Sequence, residues 1–212
     1  MRLVDLTHPI SADMPVYPGT EAPLFQVGCS LEEHGFAEKK ISLYSHTGTH
    51  IDAPAHLIKG SKTLDQLQIE HFHGKALVLN FANSKCRTID IKELEPHQKS
   101  IIQVEFILMH TAWSQFWGTD KYFSDYPVLS LEATDWLRWF DLKGIGFDTI
   151  SADKTDSQDF PVHKAFLRKN TIIIENMTNL GELPCNQFIF SCFPLSFENA
   201  DGSPVRAVAF IE

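Results

Sequence analysis

Short runs of apolar and β-branched residues, bounded by glycine, proline and polar clusters, recur along the chain and predict strands at 25–29, 40–44, 76–81, 105–111, 171–175, 187–192 and 205–211. Positions with helical spacing are fewer: 63–67, 90–94, 131–140 behind Ser130 as an N-cap, and 162–169 following Pro161. In the third of these, Trp136, Leu137 and Phe140 share one face and read as core packing. Strands dominate, and the helices are too few to cover both faces of a regular doubly wound sheet, so the expected fold class is mixed α/β. Residues 8–24 carry Pro9, Pro15, Pro18 and Pro23 and read as a long irregular loop. Within it, Tyr17 sits in a proline-bounded turn that either presents its ring to a pocket or lays it over the core. No repeat, low-complexity tract or linker divides the chain, which points to one domain over residues 1–212.

Composition narrows the partners. The chain is 43% hydrophobic and 21% charged, as an ordinary globular protein is, and 18 Lys and Arg against 27 Asp and Glu leave a formal charge of −9. With no basic stripe, a nucleic-acid partner is not expected. No apolar run approaches the roughly 18 residues of a membrane span, and the start lacks the long apolar stretch of a secretion signal, so the expectation is a cytoplasmic protein without a membrane partner. Cys29, Cys86, Cys185 and Cys192 are scattered with no C-x-x-C pair, which excludes a zinc ribbon and leaves them as expected buried thiols.

The histidines carry more information. His46-Thr47-Gly48-Thr49-His50-Ile51-Asp52-Ala53-Pro54-Ala55-His56 packs three imidazoles and a carboxylate into eleven positions. Threonines flanking a glycine, and Pro54 soon after, favour extended chain over helix, so His46, His50 and Asp52 are expected on one side of it, with Gly48 leaving room for an ion. Imidazole and carboxylate donors without thiolate suit Zn²⁺, Mn²⁺ or Fe²⁺. Farther along, Asp148, Asp153, Asp156 and Asp159 precede His163, and Glu175 ends the apolar run Ile172-Ile173-Ile174. A carboxylate ending a buried strand is costly unless paired, and a metal ion is one such partner; a strand-end glutamate reaching solvent is the other reading. His163 by spacing alone reads as an exposed helix-start histidine. His8, His34, His71, His73, His97 and His110 carry no pattern of their own.

In these residues the chain resembles the cyclase-like metal-dependent hydrolases, a family that includes bacterial kynurenine formamidases and isatin hydrolases. The segment from His46 to His56 is similar to that family's HTGTHxDAPxH signature, and further likenesses lie at Met14-Pro15-Val16-Tyr17-Pro18-Gly19, Phe160-Pro161-Val162-His163, Glu175-Asn176 and Asp201-Gly202-Ser203-Pro204. The resemblance implies a compact swivelling β/β/α-type domain assembled as a homodimer or homotetramer. It implies that His46, His50 and Asp52 hold one metal ion, Zn²⁺ or alternatively Mn²⁺, and that Asp52 and Glu175 bridge to a second ion bound also by His163. His56 would be the general acid/base, close to the metals without binding them. The implied substrate is an aryl formamide or cyclic amide, N-formylkynurenine foremost, with Tyr17 standing where formamidases carry a stacking tryptophan. A polyketide-type cyclase, an isatin hydrolase-like enzyme and a catalytically silent metal-binding module are the alternatives on the same residues.

Overall fold

The computed structural model describes residues 1–84 and 87–211. In chain order the strands are β1 (Arg2–Asp5), β2 (Leu24–Cys29), β3 (Glu38–Ser42), β4 (His50–Asp52), β5 (His73–Asn80), β6 (Thr88–Ile89), β7 (Phe106–His110), β8 (Val128–Leu129), β9 (Gly144–Phe147), β10 (Ile172–Glu175), β11 (Phe188–Ser191), β12 (Gly202–Pro204) and β13 (Val208–Ile211). The α-helices are α1 (Leu31–His34), α2 (Ile91–Leu94), α3 (Gln98–Ile101), α4 (Leu131–Leu137) and α5 (Pro161–Leu167). Nine strands form one sheet in the order β1-β13-β11-β5-β7-β9-β10-β4-β12. Its centre, β5-β7-β9-β10, is parallel, and the flanking pairs are antiparallel.

The central strands are buried on both faces, as parallel strands must be, and alternation sorts their side chains into two cores. Leu77, Leu79, Ile107, Met109, Ile145, Phe147 and Ile173 pack under the helices. Ala76, Val78, Phe106, Leu108, Ile172 and Ile174 point the other way and meet Val4 of β1, Ile51 of β4 and Phe190 of β11. Among the described residues no α-helix packs on that second face; the curling sheet covers it together with 3₁₀ turns that bring in Leu64, Phe72 and Leu180. The chain leaving β1 reaches the segment leaving β10, where Thr178 donates to the Leu6 carbonyl and Thr7 bridges Met177. The mixed α/β, swivelling β/β/α-type architecture expected from the sequence is the one found, and the scarcity of helices is met by curvature.

Differences from the expected elements have local causes. The helix at 131–140 stops at Leu137, where the next amides, Trp139 and Phe140, bond back three residues instead of four and tighten the last turn. The run at 205–211 begins with Val205 bridging Pro194 and is a sheet strand only over β13. The chain over 46–52 is extended only in β4. His46 arrives through a turn, and Gly48 adopts φ 66, so this glycine serves a left-handed kink and not a gap for an ion. Of the cysteines, Cys192 is buried as expected, but Cys29 is half-buried and Cys185 lies exposed in a loop, because scattered spacing carries no information on burial. Cys86 lies outside the described residues. Among those residues no helix is long and apolar enough to cross a membrane.

Candidate metal centre

The parallel strands β9 and β10 run side by side, and their carboxyl ends deliver Ser151 to Asp153 and Glu175 to one edge of the sheet. Strand β4 lies antiparallel beside β10 in a register that sets His50 opposite Glu175 and Asp52 opposite Ile173. Residues two apart share a face, so His50 and Asp52 point together toward α5, which contributes His163. The 3₁₀ turn Pro54–His56 brings His56 back over the same spot.

The donor atoms converge. Asp52 Oδ1 lies 2.6 Å from His46 Nδ1 and 3.3 Å from His50 Nε2, while its Oδ2 lies 3.5 Å from His163 Nε2. Glu175 places Oε1 2.9 Å from His163 Nε2 and Oε2 3.6 Å from His50 Nε2. Two sets, His46 with Asp52 and His56, and His50 with Asp52 and Glu175, each bring one ligand atom per residue within 4.8 Å of the others. All five expected ligands therefore meet around Asp52. The His56 ring lies 4.0 Å from the His46 ring, tilted by 39°, and its place in the first of these sets makes it a possible ligand as well as a neighbour.

Each of the three inner imidazoles is held from behind. His50 Nδ1 donates to the Gly48 carbonyl at 2.8 Å, and His163 Nδ1 to Asp153 Oδ2 at 2.7 Å. His46 Nε2 faces Asp201 Oδ2 at 3.2 Å. With the outer nitrogen carrying the proton, the inner nitrogen of each neutral ring presents a lone pair to carboxylate oxygens that are themselves acceptors. Such an arrangement is repulsive until positive charge enters it. Asp52 Oδ2 adds to the deficit, since it is buried with no hydrogen-bond donor among the described residues. Nitrogen and oxygen donors with rear hydrogen bonds are what a divalent ion requires, so the residues present fit a metal.

Electrostatics agree. Burial alone would lower the pKa of His163, but Glu175, Asp153 and Asp52 raise it to about 10. His46 likewise overcomes burial through Asp201 and Asp52 and is raised to about 10. Asp52 resists burial, which would raise its pKa, because His46 and His50 hold it well below the usual carboxylate range. Without a cation, the site recruits protons into the positions where an ion's charge would sit. His56 differs: burial lowers its pKa below the ordinary 6.5 and keeps it neutral.

Glu175 and His163 are both buried, which sets aside the solvent-reaching and exposed readings of their spacing. Nothing in the sequence pattern gives Asp153, Asp201 or Asn176 a role, yet each supports the cluster. Asp153 accepts from the backbone N–H groups of Val162 and His163 as well as from the His163 ring, so it caps α5 and aims its ligand together. Asn176 donates to the Gly48 carbonyl and accepts from the buried Tyr122 hydroxyl. The signal for Asp153 is its place ten residues before His163 in an acid-rich stretch; its neighbours Asp156 and Asp159 are exposed, and Asp148 is engaged by Thr111. The cluster forms the floor of a cavity of about 380 Å³, with Tyr17, Tyr44, Leu57, Ile150 and Phe160 on its walls. Tyr17 both lines this cavity and packs beside the Tyr122 and Tyr126 cluster, so the two readings of its turn hold together.

Comparison with known proteins decides the family. The Cyclase family model, described as "Putative cyclase", matches residues 4–154, well over half of the chain. The chain belongs to the cyclase family. The family match spans His46 to His56 and ends before His163 and Glu175. Full-length likeness covers these: this cyclase-family protein is 30% identical over 206 residues to kynurenine formamidase of Bacillus cytotoxicus, covering 97% of this chain and 95% of that one. Isatin hydrolase A from Ralstonia solanacearum shares the fold at a TM-score of 0.87 with 24% identity, over 100% of this chain and 92% of the other. A structure titled as a potential metal-dependent hydrolase with cyclase activity shares it at 0.80 with 23% identity, over 98% and 96%.

Proposed function

We propose that this cyclase-family protein is a metal-dependent amidohydrolase that cleaves an aryl formamide, N-formylkynurenine foremost, to an aryl amine and formate. The observation that carries it is the convergence of His46, His50, Asp52, His163 and Glu175 at the floor of a cavity walled by aromatic and aliphatic side chains. The volume lies within the ~300–1,000 Å³ common for small-molecule sites. Nearly full-length relatives named kynurenine formamidase support the linear formamide over other amides.

His46, His50 and Asp52 would hold one ion, with Asp52, His163 and Glu175 holding a second; Zn²⁺ is the first choice and Mn²⁺ the alternative. When bound, such an ion supplies Lewis acidity at the carbonyl and brings the pKa of water from about 15.7 toward 7. The protein does the rest. Nδ1 of His56 lies 4.0 Å from Asp201, so a proton on Nδ1 faces that carboxylate and Nε2 is left to take the proton of the attacking water and return it to the leaving nitrogen. Its neutrality suits a base. Tyr17 and Phe160 hold the aryl ring against apolar walls that keep bulk water out. A cytoplasmic setting is part of the proposal, since a reducing compartment keeps unpaired thiols such as Cys185 and Cys192 reduced.

The test is turnover of N-formylkynurenine, isatin and simple aryl formamides by protein loaded with zinc or manganese. Fastest hydrolysis of N-formylkynurenine is expected. No turnover of any formamide by metal-loaded protein would refute the reading, and a preference for isatin would move it to the cyclic amide.

A further inference from the structure

Helix α5 turns the buried His163 toward the metal centre, while Lys164 and Arg168 line a groove that it shares with α4. The groove holds two cavities of about 360 and 420 Å³, and Asp135 and Arg138 line both. Among the described residues none lines both this groove and the cavity above the metal centre. Arg138 stands between the two halves: its Nη1 donates to Asp135 Oδ1 at 2.8 Å, and its Nε is buried without an acceptor among the described residues. Lys164, Arg168 and Lys169 have no ion pair among those residues, although all three border the groove. At its second half Trp139 is 87% exposed, whereas Trp113, Trp117 and Trp136 are half-buried.

We propose that this groove binds a nucleotide-like ligand, a phosphate monoester joined to an aromatic ring, with the phosphate among Arg138, Lys164 and Arg168 and the ring on Trp139. Charge is the first argument. Four cations against the two carboxylates Asp135 and Asp159 leave the lining at +2 in a chain of −9. That matches the roughly −1.5 to −2 of a phosphate monoester and exceeds what one carboxylate neutralises. Placement of the cations is the second. Basic residues just past the last turn of a helix suit its dipole, which accounts for Arg138 and Arg168. It does not account for Lys164, set within α5 four residues before Arg168, because like charges at that spacing repel unless an anion lies against them. Arg forks are also the groups that grip phosphate through paired hydrogen bonds. The ring platform is the third argument. An indole left in water beside guanidinium and ammonium groups offers a flat face on which a base stacks, and both cavities fall in the ~300–1,000 Å³ range of small-molecule sites.

The proposal is independent of the formamidase reading, and its test reads binding instead of turnover. Calorimetric titration of the metal-loaded protein with adenosine monophosphate at about 0.15 M salt should give saturable binding with a Kd below about 1 mM. Lys164→Glu combined with Arg168→Glu should weaken it by at least about tenfold with bound metal unchanged, while Lys99→Glu on α3, outside the groove, should leave it intact. Trp139→Ala should weaken adenosine monophosphate by at least about fivefold and leave inorganic phosphate unaffected. If the double variant does not fold, nuclear magnetic resonance of the wild type decides: the nucleotide should shift the Trp139 indole N–H, assigned by its loss in Trp139→Phe, ahead of those of the other three tryptophans. No saturable binding would overturn the proposal, as would binding indifferent to the double substitution, which would place the phosphate at the metals. Equal effects of Trp139→Ala on both anions, or tighter binding of benzoate or hexaglutamate in the groove, would overturn it as well.

Discussion

His56 and the ligand residues differ in what their loss removes. Replacing His50 with Ala deletes an inner nitrogen that faces both Asp52 and Glu175, so bound metal measured by elemental analysis should fall well below the wild-type stoichiometry. Replacing His56 with Ala should lower kcat by about 10²–10⁴, the usual worth of general acid–base catalysis, while most of the metal stays. Equal loss of metal would make His56 a ligand, which the closeness of its donor atom to those of His46 and Asp52 permits. Gly202 sets a steric condition on the same site. A Cβ there would stand 2.5 Å from His46 Cε1, so Gly202→Ala must push the ring off Asp52. Weaker metal binding with a nearly unchanged melting temperature of the metal-free protein is the expected outcome, checked by metal titration and calorimetry.

At the scale of elements, α5 shows how one residue joins fold to site. Phe160 precedes it at φ 47 and offers no capping group, and Asp153 takes over both free amides while gripping His163. Asp153→Ala should therefore destabilise the protein by about 1–3 kcal/mol in chemical denaturation and weaken metal binding by about 10–100-fold. The strands differ in how plainly the chain announces them. Strand β10 is legible because three consecutive isoleucines end in a single carboxylate. Strand β9 is not, since Gly144 and Gly146 erase the strand pattern, yet these glycines are demanded by packing: a Cβ at Gly146 would meet Met177 Sδ at 2.4 Å, and at Gly144 the Phe106 ring at 2.8 Å. Strand β12, Gly202–Pro204, hides behind two turn-forming residue types for the same kind of reason. Of the site, the five clustered residues His46, His50, Asp52, His163 and Glu175 were readable from residue type and spacing together with resemblance. The outer acceptors were not, because Asp153, Asp201 and the Gly48 carbonyl act through chain geometry that only the folded register creates.

For the whole molecule, curvature replaces a helical layer, and it brings the N-terminal loop against the back of the centre. There His8 stacks on Trp117 at 3.9 Å, and its backbone N–H bonds Thr49, one residue before His50. Burial lowers the His8 pKa from 6.5 to about 4. Between those values the unfolded chain binds the proton and the folded chain does not, so this residue's contribution is intact above about 6.5 and is lost as pH falls toward 4. In metal-free protein, His8→Phe should retain the stacking and flatten the pH dependence of stability across that window, by at most about 1.4 kcal/mol per pH unit. An unchanged slope would mean that His8 is protonated in the fold.

The central claim is that residues from two distant stretches of chain share divalent metal. Diffraction from metal-loaded crystals at the zinc and manganese absorption edges tests it most directly. Anomalous density is expected beside Asp52, within about 2.0–2.2 Å of nitrogen and oxygen atoms from His46 and His50 on one side and His163 and Glu175 on the other. Density elsewhere, or none at this cluster in protein that binds the metal in solution, would contradict it.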